Sequence, residues 1–423
     1  MPSILPSASS IPDSKPVADA ILLEPSPSQS NNPTENKLLS PSQAPTPLVE
    51  PSPGNRSSSG GGRVTPSPTP VPVLRTTQVN FTQAQDALDY NNTPFWLNDA
   101  WYFFSAPSEI SKLNPSTGEP EVINTLNFEI ASSLATDSTG NLYWGSYFGN
   151  IQSIDVDQQL RWEYRPPVTG NVSFSGVALD EENHRLFVPN TANAITAVDS
   201  DSGNLLWQFN TRAPLFSAPV LFENKVFFMA LDQTLYCLEA DTGTYLWEFQ
   251  TGAPIFNLHP ALQPTGTVII GSDDNLLIAI DEEGFQEWSV TLDSGLAVSP
   301  VIDENLQVYG LSKQGTIYAV DRFGELQWQH STGNTFSTPP VVGNANVLYV
   351  ALDSGQVLAL SATGQVLWRY TALQEPIASL NLDDQGRLSV FSIGGQIHIL
   401  KTESTDLANS WSKVHGNRSN TGK

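Results

Sequence analysis

Cysteine is almost absent. Cys237 stands alone in 423 residues, which excludes an intrachain disulfide and any thiolate metal cluster. It sits in the apolar run Thr234–Leu238, where a small buried hydrophobe is the expected role. Histidine is scarce too: His184, His259, His330, His398 and His415 follow no regular spacing. No G-x-S-x-G, H-E-x-x-H or phosphate-loop pattern occurs, so the familiar hydrolase, zinc-protease and nucleotide-binding signatures are excluded. Long apolar runs are lacking, since no window holds the roughly 18 apolar residues of a membrane span. The start, Met1-Pro2-Ser3-Ile4-Leu5-Pro6, has neither a basic n-region nor an apolar h-region, and no export signal is expected in the sequence as given.

Basic residues are the other shortage, with 19 Lys and Arg against 43 Asp and Glu and a net charge of −24. The imbalance is not spread evenly. Residues 1–77 hold five acids (Asp13, Asp19, Glu24, Glu35, Glu50) and five bases (Lys15, Lys37, Arg56, Arg63, Arg75), so the remainder carries the whole net charge. A domain that acidic repels phosphate backbones and anionic lipid headgroups. Nucleic acid and direct membrane insertion are therefore not expected, and basic protein surfaces or cations are better partners.

Half of the 32 prolines fall in the first 72 residues, among Ser, Thr, Gln and Asn and a glycine run at Gly60–Gly62. Such a segment has too few large apolar groups to offset the entropy of ordering, and residues 1–72 are expected to form a disordered tether. Its end, PSPTPVPV, favours extended polyproline geometry and a semi-stiff spacer. Stalks of this kind accompany exported, surface-anchored proteins, which suggests an extracytoplasmic setting, in the periplasm or at the cell surface.

What the chain has in abundance is repetition. The stretch Leu238–Trp247 joins an apolar run, an Asp-x-x-Gly turn and an alternating strand that carries a Trp, and versions recur at Val198–Trp207, Ile280–Trp288, Val320–Trp328 and Leu360–Trp368. Trp162, Trp207, Trp247, Trp288, Trp328 and Trp368 are spaced 40 to 45 residues apart. A second register comes from the opening strand of each unit, where Pro94, Leu134, Val177, Pro219, Pro260, Pro300, Pro340 and Asn381 take equivalent places. Both registers give a period near 40, the signature of a propeller blade with four short strands per unit. The fold class is all-β, an eight-bladed β-propeller of four-stranded antiparallel blades spanning 73–405, followed by a tail at 406–423.

The turn glycines Gly118, Gly203, Gly243, Gly284, Gly324 and Gly364 support that register, with Gln159 where the second unit lacks one. Asp199–Gly203 has the look of a calcium loop but lacks a bidentate Glu at the twelfth position, held by Asn210. Turn chemistry accounts for the pattern, because Asp bonds its own backbone and Gly supplies positive φ. The repeated Trp is expected to pack against the neighbouring blade. The eighth unit breaks off at Lys401–Asp406 before a fourth strand, while the surplus strand Val73–Phe81 stands at the other end of the domain. An unpaired edge invites closure, and the two termini are expected to share the last blade.

These units, A-x-D-x-x-T-G-x-x-x-W in part at Ala240–Trp247, with Ser217-Ala218-Pro219 and Val347–Leu360, resemble the pyrroloquinoline-quinone-like repeat of eight-bladed propellers. The tail from Trp411 through Gly416 to Asn420-Thr421-Gly422 is similar to a W-x4-G-x3-N-T-G segment found at the ends of exported members. The resemblance implies either a quinoprotein dehydrogenase or the non-catalytic, BamB-like branch. The dehydrogenases hold quinone over a disulfide of neighbouring cysteines, with calcium and an Asp base, which Cys237 alone cannot supply. Long catalytic insertions between blades are missing as well, and so is an N-terminal lipobox cysteine. The expectation is a monomeric, non-enzymatic protein-binding or scaffold module in cell-envelope or outer-membrane protein assembly, without cofactor or metal; the alternative is a quinone- or sugar-dependent oxidoreductase or ligand-binding protein with its site in the channel. Phe174, Phe216, Phe256 and Phe336, on the loops entering opening strands, and His259 beside Pro260 are the candidate partner-binding residues.

Overall fold

The structure is a computed structural model that describes residues 73–78, 95–166 piecewise, 176–253, 258–371, 373–406 and the positions 408, 416 and 422. The tether expected at 1–72 and Gly118 lie outside the described residues. Within the compact unit Thr65–Lys423, the described strands form eight four-stranded antiparallel sheets. Blade 4 shows the plan: Val220–Phe222, Lys225–Ala230, Thr234–Glu239 and Tyr245–Gln250 pair in chain order from the channel outward. The first strands of successive blades approach one another, which places them around the ring axis.

Burial explains why the sequence reads as an apolar run followed by an alternating strand. The middle strands are covered on both faces by neighbouring blades, and Val268–Ser272 and Thr316–Val320 are buried at every residue. Such strands need not alternate. Outer strands such as Leu205–Asn210 and Gln286–Thr291 have one face in solvent and bury the Trp of the other.

The ring closes as its missing strand requires. Blade 8 is built from Ile377–Leu382, Arg387–Ser392 and Gln396–Lys401, and Val73–Gln78 supplies its outermost strand, pairing Thr76 with His398 and Gln78 with Gln396. Residues 79–81 of the expected strand lie outside the described residues. One expected register place needs correcting. Ile302 pairs with Val308 in blade 6 and Leu382 with Leu388 in blade 8, so the eighth counterpart of Pro300 is Leu380, not Asn381. Asn381 is buried one residue further on and donates its amide to Ser379 Oγ. We expect deletion of residues 1–72 to leave the melting temperature nearly unchanged, and deletion of 1–82 to abolish cooperative unfolding. Thermal denaturation of the two truncated chains checks this, and equal stability would refute closure by Val73–Gln78.

The blades are joined by one repeated device. The indole N–H of Trp162 donates to Ser200 O, Trp207 to Ala240 O, Trp247 to Glu282 O, Trp288 to Arg322 O and Trp328 to Ala362 O, each reaching the turn of the next blade at 2.7–3.0 Å. The ring lies on that turn's glycine: a Cβ on Gly203, Gly243, Gly284, Gly324 or Gly364 would come within 2.6–2.8 Å of the preceding blade's Trp. These glycines also hold φ between 70° and 93°. Glycine is thus required twice, for its left-handed backbone and for the bare surface on which an indole rests. Where one half of the device is missing, so is the other. Blade 1 has no Trp in its outer strand Pro120–Thr125, and its Val122 is 53 % exposed. In blade 2 the left-handed turn position falls to Gln158 (φ 65°), one residue before the Gln159 that the spacing suggests.

A second link occupies the start of the second strand. Arg185 of blade 3 reaches Asp241 and Asn224 of blade 4, Lys225 of blade 4 reaches Glu282 of blade 5, and Gln307 of blade 6 reaches the Ala362 carbonyl of blade 7. Arg387 of blade 8 lies over the Trp96 ring of blade 1, 5.8 Å from its centroid. Replacing Trp207 with Ala is expected to cost about 3–5 kcal/mol. Gln158→Gly, which relieves a left-handed non-glycine with no indole above it, should stabilise by about 0.5–1 kcal/mol. Chemical denaturation of both variants measures the two effects; a Trp207→Ala cost below about 1 kcal/mol would remove the indole from the joint.

Candidate functional site

The loops entering the inner strands gather at one end of the channel, and blade 4 shows how such a loop is held. Leu215 is buried and bridges to Ala230. The Ser217 hydroxyl is buried, donates to Met229 O and accepts from Met229 N. The Ala218 amide donates to His259 Nδ1 of blade 5 at 2.8 Å. With the residues on either side tied inward, Phe216 is left 36 % exposed on a fixed backbone. Arg212 stands nearby on the same connection, exposed and paired with Asp232 and Glu248.

The remaining candidates separate by register. Phe336 bridges to Leu352, as Leu215 does to Ala230 and Leu296 to Ser312, and it is buried in the core that blade 6 shares with blade 7. It presents no ring to a partner. The signal was available in the spacing: Phe216 stands three residues before its blade's Pro219, whereas Phe336 and Leu296 stand four before Pro340 and Pro300. Phe256 has the four-residue spacing and Phe174 the three-residue one, and both lie outside the described residues.

His259 is likewise interior. Its ring accepts the Ala218 amide of blade 4, and its own amide donates to Ser299 Oγ of blade 6 at 2.8 Å, so one residue links three blades. Burial holds its pKa down at about 4, and it is neutral at physiological pH. A neutral imidazole that accepts at Nδ1 carries its proton on Nε2. Because the folded value lies below the unfolded one near 6.5, this contribution to stability is complete above about pH 6.5 and is lost as pH falls towards 4. The loss amounts to roughly 3 kcal/mol. His259→Asn keeps an acceptor for the Ala218 amide and does not titrate, so its melting temperature should fall less between pH 7 and pH 4 than that of the parent chain. Parallel thermal scans across that range check it, and identical acid limbs would overturn it.

Exposed aromatics that sequence reasoning missed stand on the outer rim. Phe285 and Phe323 are 70 % and 67 % exposed in the turns before the outer strands of blades 5 and 6. Arg322 covers one face of Phe323, 4.5 Å from its centroid, while Phe285 follows Glu282 and Glu283. The signal lay in position: a large ring beside the glycine of a tight turn, with its blade's core places already filled, has nowhere to go but outward. Leu205, Leu206, Tyr245 and Leu246 extend the exposed apolar surface along blades 3 and 4.

Among the described residues, the donor set does not match a quinone held over a disulfide with calcium. Cys237 is fully buried in the third strand of blade 4, and burial pushes its thiol up to about 12. Among the described residues no group of three His, Cys, Asp or Glu is placed to hold a metal ion. Nor, among the described residues, is any helix long and apolar enough to cross a membrane.

Fold and repeat together define an eight-bladed propeller of the pyrroloquinoline-quinone-like class. The family model described as outer membrane protein assembly factor BamB matches residues 134–265 and 313–422, more than half of the chain, and the chain belongs to that family. Among solved structures, BamB from Moraxella catarrhalis aligns at 17 % identity and a TM-score of 0.64, covering 78 % of this chain and 100 % of that one. The computationally designed Ika8 protein aligns equally well, at 14 % identity and a TM-score of 0.64 over 77 % of this chain and 99 % of its own. At such identities the likeness is one of fold. No curated protein matches this chain in sequence.

Proposed function

We propose that the chain is a non-enzymatic protein-binding module of the cell envelope, acting in outer-membrane protein assembly from an extracytoplasmic position. Membership of the family of an outer membrane protein assembly factor carries this reading. The surface agrees with it. Phe216 is a rigid, exposed aromatic anchor on a domain that holds the whole net charge of −24, and a buried aromatic contact fixes affinity while complementary charge speeds encounter. The partner is therefore a protein with a basic surface and an apolar pocket at its centre.

The test uses the immobilised full chain and the protein it captures from the envelope fraction of its source cell. Association should slow as salt rises, and Phe216→Ser should mainly speed dissociation while the blades stay folded. If binding survives Phe216→Ser but is lost in Phe285→Ser with Phe323→Ser, the partner docks on the rim rather than the mouth. Pyrroloquinoline quinone added with calcium should leave the melting temperature unchanged. A stabilisation near 2.7 kcal/mol, as for a ligand at 100 times its dissociation constant, would overturn the non-enzymatic reading.

A further inference from the structure

The connections of an antiparallel four-stranded blade alternate between the two ends of the ring, and charge is not shared evenly between those ends. At the mouth, backbone bonds tie the hairpin between second and third strands to the entering loops, Leu231 N–H to Pro214 O and Thr251 N–H to Gln233 O. At the far end the other two connections are tied to each other, Ser200 N–H to His184 O and Ala240 N–H to Asn224 O. In blades 2 to 6 the far-end turns 155–160, 199–204, 239–244, 281–286 and 321–326 hold eleven acids against one base, Arg322. The mouth-end hairpins 146–150, 191–193, 231–233, 273–275 and 313–315 hold three acids and one base. The acid surplus of these connections therefore lies at the end of the ring away from Phe216.

The same rim carries most of the exposed apolar surface. Of the thirteen large hydrophobics exposed among the described residues, nine stand at 156–160, 205–206, 245–246, 285 and 323–326, in the far-end turns or the first residues of the outer strands that follow. Five neighbouring blades each contribute, with Leu160, Leu206, Leu246, Phe285 and Phe323 one from each. Local geometry explains the outward leucines. Val198 pairs with Leu205 and Ala197 with Trp207, while Leu238 pairs with Tyr245 and Cys237 with Trp247, so Leu206 and Leu246 are the extra residues of β-bulges. The adjoining indole fills the joint between blades, and the bulged residue is left in solvent. A bulge also spoils the outer edge as a template for an added strand, so whatever docks here is held by side chains. Carboxylates stand among the apolar groups: Glu283 and Glu287 flank Phe285, and Asp321 and Glu325 flank Phe323.

We propose that the far-end rim of blades 2 to 6 is a docking surface for a basic amphipathic protein segment, one that sets Lys or Arg among large apolar side chains. Charge selects that occupant. A second copy of this chain brings its own carboxylates against the rim, and an anionic lipid surface is repelled in the same way. A cationic segment gains both the charge contact and the burial of the apolar groups. Phe323 shows the contact in miniature: the Arg322 guanidinium lies 4.5 Å from its ring centroid, and the ring is still 67 % exposed. The rim and Phe216 stand at opposite ends of the blades, so this inference does not rest on the mouth as a partner site.

The probe is a synthetic amphipathic helix of Leu and Lys, titrated calorimetrically into the full chain beside a Lys-only peptide of equal charge. The parent chain should bind the Leu/Lys peptide at least tenfold more tightly than the Lys-only one. Combining Leu246→Ser, Phe285→Ser and Phe323→Ser should weaken the Leu/Lys peptide at least tenfold and leave the melting temperature unchanged, because the three side chains lie in solvent. Phe216→Ser should leave this binding unchanged, and Glu283→Gln with Glu325→Gln should weaken both peptides. Hydroxyl-radical footprinting of the parent chain is independent of how any variant folds: the Leu/Lys peptide should protect Phe285 and Phe323 and leave Phe216 reactive. Equal affinity of the parent and the triple variant, equal affinity of the two peptides, or protection of Phe216 in place of the rim overturns the proposal. So does a dimer of the parent chain, or its binding to phosphatidylglycerol vesicles, that the triple variant loses, since the rim then belongs to a second copy or to a lipid surface.

Discussion

The ring depends on an indole resting on a glycine. Each blade is a four-stranded sheet too small to bury its own faces, and what fixes one against the next is a Trp whose ring covers the neighbour's turn and whose N–H caps a carbonyl in it. The joint couples three requirements in one place: apolar burial, a hydrogen bond to a turn carbonyl, and a left-handed backbone that only glycine adopts without strain. The end joints show what replaces it. Trp368 finds the Glu403 carboxylate where a turn carbonyl would be. The blade 8 to blade 1 seam is built from Trp96, Trp101, Phe103, Leu113, Phe391, Ile397 and Ile399 instead. Closure of the ring thus rests on aromatic packing there, together with a strand borrowed from the other end of the chain.

Much of this was legible because the physics repeats. The 40-residue phase of the Trp and the turn Gly revealed period and joint together, the opening-strand register supplied the count of eight, and the absent fourth strand after Leu400 pointed to Val73. The same repetition misled where a unit departs from it. Leu380 replaces the proline of the opening strand, and without that mark the register slips by one residue onto Asn381. At the mouth, residue type alone grouped Phe216 with Phe336, although a single residue of register sends one ring to solvent and the other into the core. His259 was a candidate because of its chemistry, yet its ring accepts the Ala218 amide of one neighbouring blade and its own amide donates to the Ser299 hydroxyl of the other, a three-dimensional fact that no spacing in one unit records. The inner-edge pairing of Asp406 and Ala408 with blade 7, and of Gly422 with blade 4, was not legible at all, since a peptide that pairs through its backbone leaves little trace in side-chain pattern.

Charge follows from the same architecture. Four of the propeller's bases are drawn into its joints: Arg161 meets Asp201, Arg185 meets Asp180 and Asp241, Lys225 meets Glu282, and Lys313 meets Asp273. The first three run from one blade to the turn of the next. Asp201 and Asp241 are well exposed, so their pairs contribute little to stability individually, whereas Arg185 and Asp180 are both buried. Their consequence is one of distribution, because cations held by neighbouring acids no longer offset the rest of the surface.

Interior and exterior therefore offer different surfaces. The inner strands offer backbone groups, and among the described residues Asp406 and Ala408 pair with blade 7 and Gly422 with blade 4. The exterior offers carboxylates with few free bases among them, interrupted by single rigid aromatics at the mouth and rim. A partner recognised by charge and aromatic burial meets those features on the outside, where salt screens the approach but not the buried contact. A ligand recognised by backbone pairing would meet the inner edges of the sheets instead. The two kinds of recognition are separable by their response to ionic strength, since pairing between uncharged amides and carbonyls carries almost none of the long-range attraction that steers charged surfaces together.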